Sequence, residues 1–349
     1  MTLASYQGCL RYFQAHDFLY CFKRRMMQQL DLQIKEIREV SPAIREFVLV
    51  SSNGSALPTF EPGSHLKIQI PTIDDERSYS LVVTDPEYDW TAAPGHYRLG
   101  VRLEENGQGG SQFMHQLQVG GEIQAKGPFN DFPLAQSAQD EAENVLIAGG
   151  IGITPIASMA QSLKAQGRPF CLHYSARSKE HLAFADELSS LVGDKLYCYS
   201  NEDNNFTLPQ LFDQLDPSQH LYICGPQSMI DEAIQIAKER QWPSEHVHFE
   251  LFITAAPQDG DQAFEIELAQ SGQVLTVPAD KTIVDVLEEA GLDPMYDCRR
   301  GECGVCTTDV LSGTPDHRDY YLSDKEKESG KMMQICISRS KSSKLVLDL

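Results

Sequence analysis

Positive charge is scarce in this chain. Against 50 Asp and Glu stand only 29 Lys and Arg, a formal net charge of −21 over 349 residues. A surface of that sign repels phosphate backbones and anionic lipid headgroups, which argues against nucleic acid or a charged membrane face as partner. Long apolar runs are missing too, and none approaches the length of a bilayer span. The chain also lacks the rhythm of a secreted disulfide scaffold. Cys9, Cys21, Cys171, Cys198 and Cys224 are scattered, as expected of a reducing, cytoplasmic compartment. The pattern of a secretory signal is not met, because the cations Lys23-Arg24-Arg25 follow an aromatic-rich stretch instead of preceding an apolar core. Residues 1–29 are expected to form an extension outside the fold.

What the chain does have is concentrated near its C-terminus. Cys298, Cys303 and Cys306 follow a C-x4-C-x2-C spacing, and Cys336 comes after a gap spanning residues 307–335. This is the plant-type pattern for a [2Fe–2S] cluster. Two irons bridged by sulfides need four thiolates from several directions, so a short loop supplies three and a distant segment returns the fourth. Gly301 and Gly304 let the loop fold close and aim N–H groups at sulfur. A structural zinc site is the competing reading, but it normally pairs two C-x2-C units and only one is present. Buried free thiols are the other.

Three textures divide the rest. From residue 30 to 138 short strand-like runs (Leu32–Ile37, Phe47–Val50, His65–Ile70, Tyr79–Val83, Tyr97–Leu103) alternate with Gly and Pro clusters, predicting an antiparallel β-barrel. From 139 to 254 buried-type strands alternate with helices, predicting a doubly wound α/β domain. Residues 255–262 have linker composition. From 263 to 349 a hairpin around Ser271-Gly272, a helix over 282–290, the cysteine loop and a last strand at Leu345–Leu347 predict a β-grasp domain.

Two of these regions carry nucleotide chemistry. In the barrel, Arg77-Ser78-Tyr79-Ser80-Leu81 is read at the head of a strand. A flavin needs a cation for its phosphate, which Arg77 supplies, a flat group against its ring, Tyr79, and a hydrogen bond near N5, Ser80. Gly109-Gly110-Ser111, before an apparent helix start, offers N–H groups and a hydroxyl to a phosphate. In the α/β region Gly149-Gly150-Ile151-Gly152-Ile153-Thr154-Pro155 turns a strand into a helix, with Thr154 the expected N-cap, and suits a pyrophosphate. It is not the G-x-G-x-x-G fingerprint. Cys224-Gly225-Pro226 ends a later strand on the side where such sheets bind ligands, although Cys224 also reads as a structural thiol. Arg177 ends another strand and is a candidate for the adenosine half of the cofactor.

Taken in order, Arg77-Ser-Tyr-Ser, Gly109-Gly-Ser, Gly149-Gly-Ile-Gly-Ile-Thr-Pro, Cys224-Gly-Pro and a C-terminal plant-type cluster resemble the phthalate dioxygenase reductase family, from about residue 30 to 349. Leu311-Ser-Gly-Thr-Pro-Asp-His-Arg-Asp is similar to vanillate O-demethylase reductases. Cys298-Arg-Arg-Gly-Glu-Cys is closer to other aromatic-oxygenase reductases, and carnitine monooxygenase reductases are also near. The resemblance implies FMN rather than FAD, held by Arg77, Tyr79, Ser80, Leu81, Gly109, Gly110 and Ser111. It implies NADH rather than NADPH, met by Gly149, Gly150, Gly152, Thr154, Pro155, Arg177, Cys224, Gly225 and Pro226, although Lys179 beside Arg177 could hold a 2′-phosphate. Ser80, Cys224, Glu250 and Phe252 are implied at the reacting centre, Phe252 as an aromatic near the flavin. The four cysteines hold the cluster.

The implied function is an electron relay, NADH to FMN to [2Fe–2S] to a Rieske-type oxygenase partner in a two-component monooxygenase or demethylase. Its pathway would be that of vanillate, of phthalate- or phenoxybenzoate-type aromatics, or of carnitine. No Rieske histidine–cysteine pattern or facial-triad motif is found in this chain, so oxygen chemistry belongs to another protein. A flavin diaphorase donating to small molecules and a non-catalytic iron–sulfur carrier or sensor are the competing readings.

Overall fold

The computed structural model describes residues 29–135, 142–202, 207–252 and 258–349. Nearly all of the expected extension, the boundary at 136–141 and the first part of the expected linker lie outside these residues. The chain forms two compact units, Met1–Phe249 and Glu250–Leu349.

The first unit begins with six strands: β1 (Gln29–Ser41), β2 (Ile44–Ser51), β3 (His65–Ile70), β4 (Asp75–Ser80), β5 (Tyr97–Arg102) and β6 (Glu122–Phe129). They lie in the order β4-β3-β6-β1-β2-β5, every pairing antiparallel. Alternation drives the inside from the outside. Leu30, Leu32 and Ile34 of β1 are buried between exposed or half-buried neighbours, and they meet Phe47, Leu49, Leu66, Ile68, Leu99 and Val101 in one core. A short helix, α1 (Gly110–Gln116), connects β5 to β6.

One expectation changes here. The run Arg77–Ser80 ends strand β4 instead of heading one, and Tyr79–Val83 is not a continuous strand. Up to Ser80 the chain pairs with β3. Beyond it, Leu81 bridges Leu99, and Val82 donates its N–H to the Arg98 carbonyl at 2.9 Å. The backbone thus changes partners at Ser80–Leu81, which joins the two edges of the sheet.

The same unit continues with β7 (Asn144–Gly149), α2 (Ile153–Ala165), β8 (Phe170–Ala176), α3 (Ala185–Val192), β9 (Leu196–Ser200), α4 (Leu208–Phe212), β10 (His220–Cys224), α5 (Gln227–Glu239) and β11 (Val247–Glu250). The sheet order is β11-β10-β7-β8-β9, with β7 to β10 parallel. All six residues of β7 are buried, as a strand covered on both faces must be. Thr154 is not the cap of α2. The helix begins at Ile153 with Gly152 as N-cap, and the Thr154 hydroxyl donates to the Ile151 carbonyl at 2.9 Å.

The second unit holds β12 (Phe264–Leu268), β13 (Val274–Val277), α6 (Ile283–Glu289), β14 (Thr307–Ser312), β15 (Pro315–Asp316), α7 (Asp324–Ser329), β16 (Met332–Gln334), β17 (Arg339–Ser340) and β18 (Lys344–Leu347). The main sheet runs β13-β12-β18-β14-β16, with β12 parallel to β18. Capping boxes start both helices, Thr282 with Asp285 and Ser323 with Glu326. Helix α6 packs Ile283, Val284 and Leu287 against Phe264, Ile266 and Leu345.

Candidate cofactor sites

In the barrel, β4 and the turn before α1 come together. A Cβ on Gly110 would lie 2.6 Å from Arg77 Cγ and 3.2 Å from the Tyr79 hydroxyl, so only a glycine lets the turn sit against those side chains. Arg77 is ion-paired with Asp75 and donates to Gln108 Oε1 at 3.0 Å. Tyr79 is largely buried, and that burial pushes its hydroxyl pKa up. Ser80 is buried, while Ser111 Oγ accepts the Glu104 N–H at 3.0 Å. A guanidinium, a phenol and a close-lying glycine backbone converge here, and such groups fit a flavin and its phosphate.

In the α/β sheet the two turns after β7 and β10 interlock. A Cβ on Gly152 would overlap the Cys224 carbonyl, and one on Gly149 would lie 2.6 Å from Pro226 Cδ. Gly225 likewise packs on Gly149. Gly150 differs: its φ is +54° and nothing lies within 4 Å of where a Cβ would be, so that backbone faces open space. A nucleotide phosphate fits against such a surface. Thr154 and Pro155 are buried beneath it, and Arg177 is exposed just past the end of β8. Cys224 is fully buried within the hydrophobic cluster that also holds Ile153 and Phe184. Its side chain therefore belongs to the core, and its carbonyl forms the floor on which Gly152 rests.

The sulfur loop lies wholly in the second unit. Cys298 is in hydrogen-bond contact with Cys303 and Cys336, and Cys336 with Cys298 and Cys306, so all four thiols are gathered. These contacts draw the Cys298 proton off readily and hold those of Cys303 and Cys336. The Arg300 N–H donates to Cys298 Sγ at 3.3 Å, the kind of contact that tunes a thiolate ligand. Pairing of β14 with β16 returns the fourth cysteine to the first three. Four converging thiols with N–H support fit an iron–sulfur cluster.

Sequence reasoning missed the groups that support this loop. Gln334 is fully buried, accepts from Cys306 Sγ at 3.1 Å and donates to the Thr307 hydroxyl at 2.6 Å. Arg300 Nε donates to Glu302 at 2.8 Å, and Glu302 in turn accepts the Leu251 N–H at 2.6 Å. Burial pushes Glu302 up to about 7 against the pull of Arg300. Burial also works against the charge of Arg300, but Glu302 and Glu250 keep it protonated. Glu250, expected to close the α/β domain, is the last residue of β11 and lies 3.8 Å from Arg300. Phe252 is partly exposed. No sequence signal marked Gln334. The alternating charges of Arg300 and Glu302 were visible but carried no partner.

Three family models match segments of the chain. The family described as "Oxidoreductase FAD-binding domain" matches residues 31–133. "Dimethylamine monooxygenase subunit DmmA-like, N-terminal domain" matches 122–247, and "2Fe-2S iron-sulfur cluster binding domain" matches 266–341. The carnitine monooxygenase reductase subunit of Acinetobacter pittii is 39% identical over 315 residues, 90% of this chain and 100% of the relative. The heme-dependent oxidative N-demethylase beta subunit of Ectopseudomonas mendocina is 38% identical, covering 93% of this chain and 100% of its own. A solved phthalate dioxygenase reductase, described as modular for electron transfer from pyridine nucleotides to [2Fe-2S], is 35% identical. It covers 92% of this chain and 98% of its own at a TM-score of 0.67. No helix among the described residues is long and apolar enough to cross a membrane.

Proposed function

Since the chain belongs to the phthalate dioxygenase reductase family of flavin and iron–sulfur oxidoreductases, we propose that it passes electrons from NADH through FMN and one [2Fe–2S] cluster to the oxygenase component of a two-component monooxygenase or demethylase. The observation that carries this is the presence of a flavin-domain match, a nucleotide turn and a sulfur loop in one chain. That chain spans the full length of relatives named as reductase subunits.

When bound, the flavin accepts a hydride and the cluster accepts single electrons, so the pair converts a two-electron donor into a one-electron source. The protein's part is to bind and to orient. Arg77, with Gly109, Gly110 and Ser111, holds the flavin phosphate, and Tyr79, Ser80 and Leu81 line its ring. Gly149, Gly150 and Gly152, with Thr154 and Pro155, present the pyrophosphate surface, and Cys224, Gly225 and Pro226 supply its second wall. Arg177 takes the adenosine end. Cys298, Cys303, Cys306 and Cys336 ligate iron, and Arg300 and Gln334 fix the sulfurs.

The Rieske type of the partner rests on the resemblance set out above. The N-demethylase relative, heme-dependent by its name, favours a second reading with a heme oxygenase as acceptor. Anaerobic titration tests the relay: NADH is expected to bleach flavin absorbance and then cluster absorbance. A flavin that reduces while the cluster never does would overturn it. Turnover with a purified Rieske oxygenase, compared with a heme N-demethylase component, decides between the partners.

A further inference from the structure

Helix α2 starts at the nucleotide turn and is buried all round, from Ile153 to Leu163. Four of its buried residues are polar, Thr154, Ser158, Gln161 and Ser162, and the first three are each no more than 1% exposed. Thr154, Ser158 and Gln161, spaced four and three apart, share one face. A polar stripe at that spacing ordinarily faces water. Here it is committed to the barrel. Ser158 Oγ accepts the Val83 N–H at 2.9 Å and donates to the Leu81 carbonyl at 2.7 Å. Gln161 Oε1 accepts the Trp90 indole N–H, and its Nε2 donates to the Asp85 carbonyl at 3.0 Å. A Cβ on Gly100 of β5 would lie 2.8 Å from Thr154 Cγ2, so the missing side chain admits the helix.

Ser158 therefore holds the backbone immediately after Ser80, at the point where β4 changes partners. The helix it belongs to begins at the Gly149–Gly152 turn. A single hydroxyl joins the backbone leaving the flavin strand to the element that presents the nucleotide surface.

We propose that Ser158, seconded by Gln161, is a positioning residue for hydride transfer, fixing the flavin strand in register with the nucleotide-binding helix. The inference rests on the reading that NADH reduces a flavin in this barrel. Donor and acceptor must approach closely and in line, so a small loss of registration lowers the rate without removing either binding site. A hydroxyl serving stability alone would change melting and leave the limiting rate intact.

The test is Ser158→Ala, which leaves the Leu81 carbonyl and the Val83 N–H without their partner. In anaerobic stopped flow the limiting rate of flavin bleaching by NADH is expected to fall roughly tenfold. The NADH dissociation constant should change less than about threefold, since the binding groups are untouched. The flavin midpoint potential is expected to hold. In the flavin-free protein, amide hydrogen exchange at Val83 is expected to accelerate. An unchanged limiting rate in a variant that wild-type NADH conditions bleach normally overturns the inference and leaves the function standing. A wild-type protein that dithionite bleaches and NADH does not would overturn both. Should Ser158→Ala fail to fold, Gln161→Met is judged by the same two readouts, with a rate loss of roughly threefold expected.

Discussion

Arg98 of β5 donates to Glu187 of α3 at 2.7 Å, and its Nε donates to Glu46 of β2 at 2.5 Å. Arg38 of β1 repeats the bridge, at 2.5 Å to Glu46 and 2.7 Å to Glu187. Glu46 has no exposed surface, and both guanidiniums reach it. Burial works against ionisation of Glu187, but hydrogen bonds from Arg98, Thr84 and Arg38 outweigh it and hold its pKa at about 2. A carboxyl depressed by folding contributes stability above its ordinary value of 4.5 and loses it as pH falls through about 2. Glu187→Gln is therefore expected to destabilise the barrel-containing unit by about 1–2 kcal/mol at pH 7, a figure reduced for the partial exposure of the site. The difference from wild type should shrink between pH 4.5 and 2, read from urea melts.

Arg77→Gln removes the guanidinium side chain that packs against Gly110. A charge-assisted contact to a phosphate contributes about 1.5–3 kcal/mol, so flavin affinity is expected to fall roughly tenfold to a hundredfold. Fluorescence titration of flavin into the apoprotein measures this, and an unchanged affinity would place the phosphate elsewhere.

Gly152 and Gly150 should respond differently to alanine. At Gly152 the new methyl meets the Cys224 carbonyl, and a soluble folded protein is not expected. At Gly150 it meets open space, so the cost is that of a positive φ alone, about 1 kcal/mol. The folded Gly150→Ala protein is expected to bind NADH several-fold more weakly, as read by isothermal titration, because the methyl occupies the surface meant for the pyrophosphate.

Serine at Cys336 is expected to abolish the cluster, measured as iron and sulfide per chain, while leaving flavin content intact. Gln334→Leu is milder. It keeps four cysteines but removes the buried amide that lies against Cys306 Sγ and donates to Thr307, so iron content should persist while the reduction potential shifts. Protein-film voltammetry reads that shift.

Much of this architecture was legible because period and spacing are local properties. The unbroken apolar run at 145–148 marked a buried parallel strand, and the cysteine spacing marked a metal loop. What was misread depended on partners far along the chain. The strand expected at Tyr79–Val83 ends at Ser80 because β3 stops pairing there and β5 takes over. Helices α4 and α7 were missed because neither is long enough to show a period. Nothing in the sequence marks Ser158 and Gln161 as buried, since their partners, Leu81, Val83, Asp85 and Trp90, lie far along the chain. At the sulfur loop the ligands were readable and their supports were not, since Gln334 and Glu250 reach it only through the fold.

Tyr321 lies over Gly304, between two of the sulfur donors, so closely that any Cβ at 304 would enter the phenol ring. The ring is also 54% exposed, which makes it a roof with one side to water. The two positions are consequently not independent heritable units. A larger residue at 304 must displace the ring and also adopt a φ of +74°, so in variant libraries a change at 304 is expected only where the aromatic has changed too, while the aromatic can change alone.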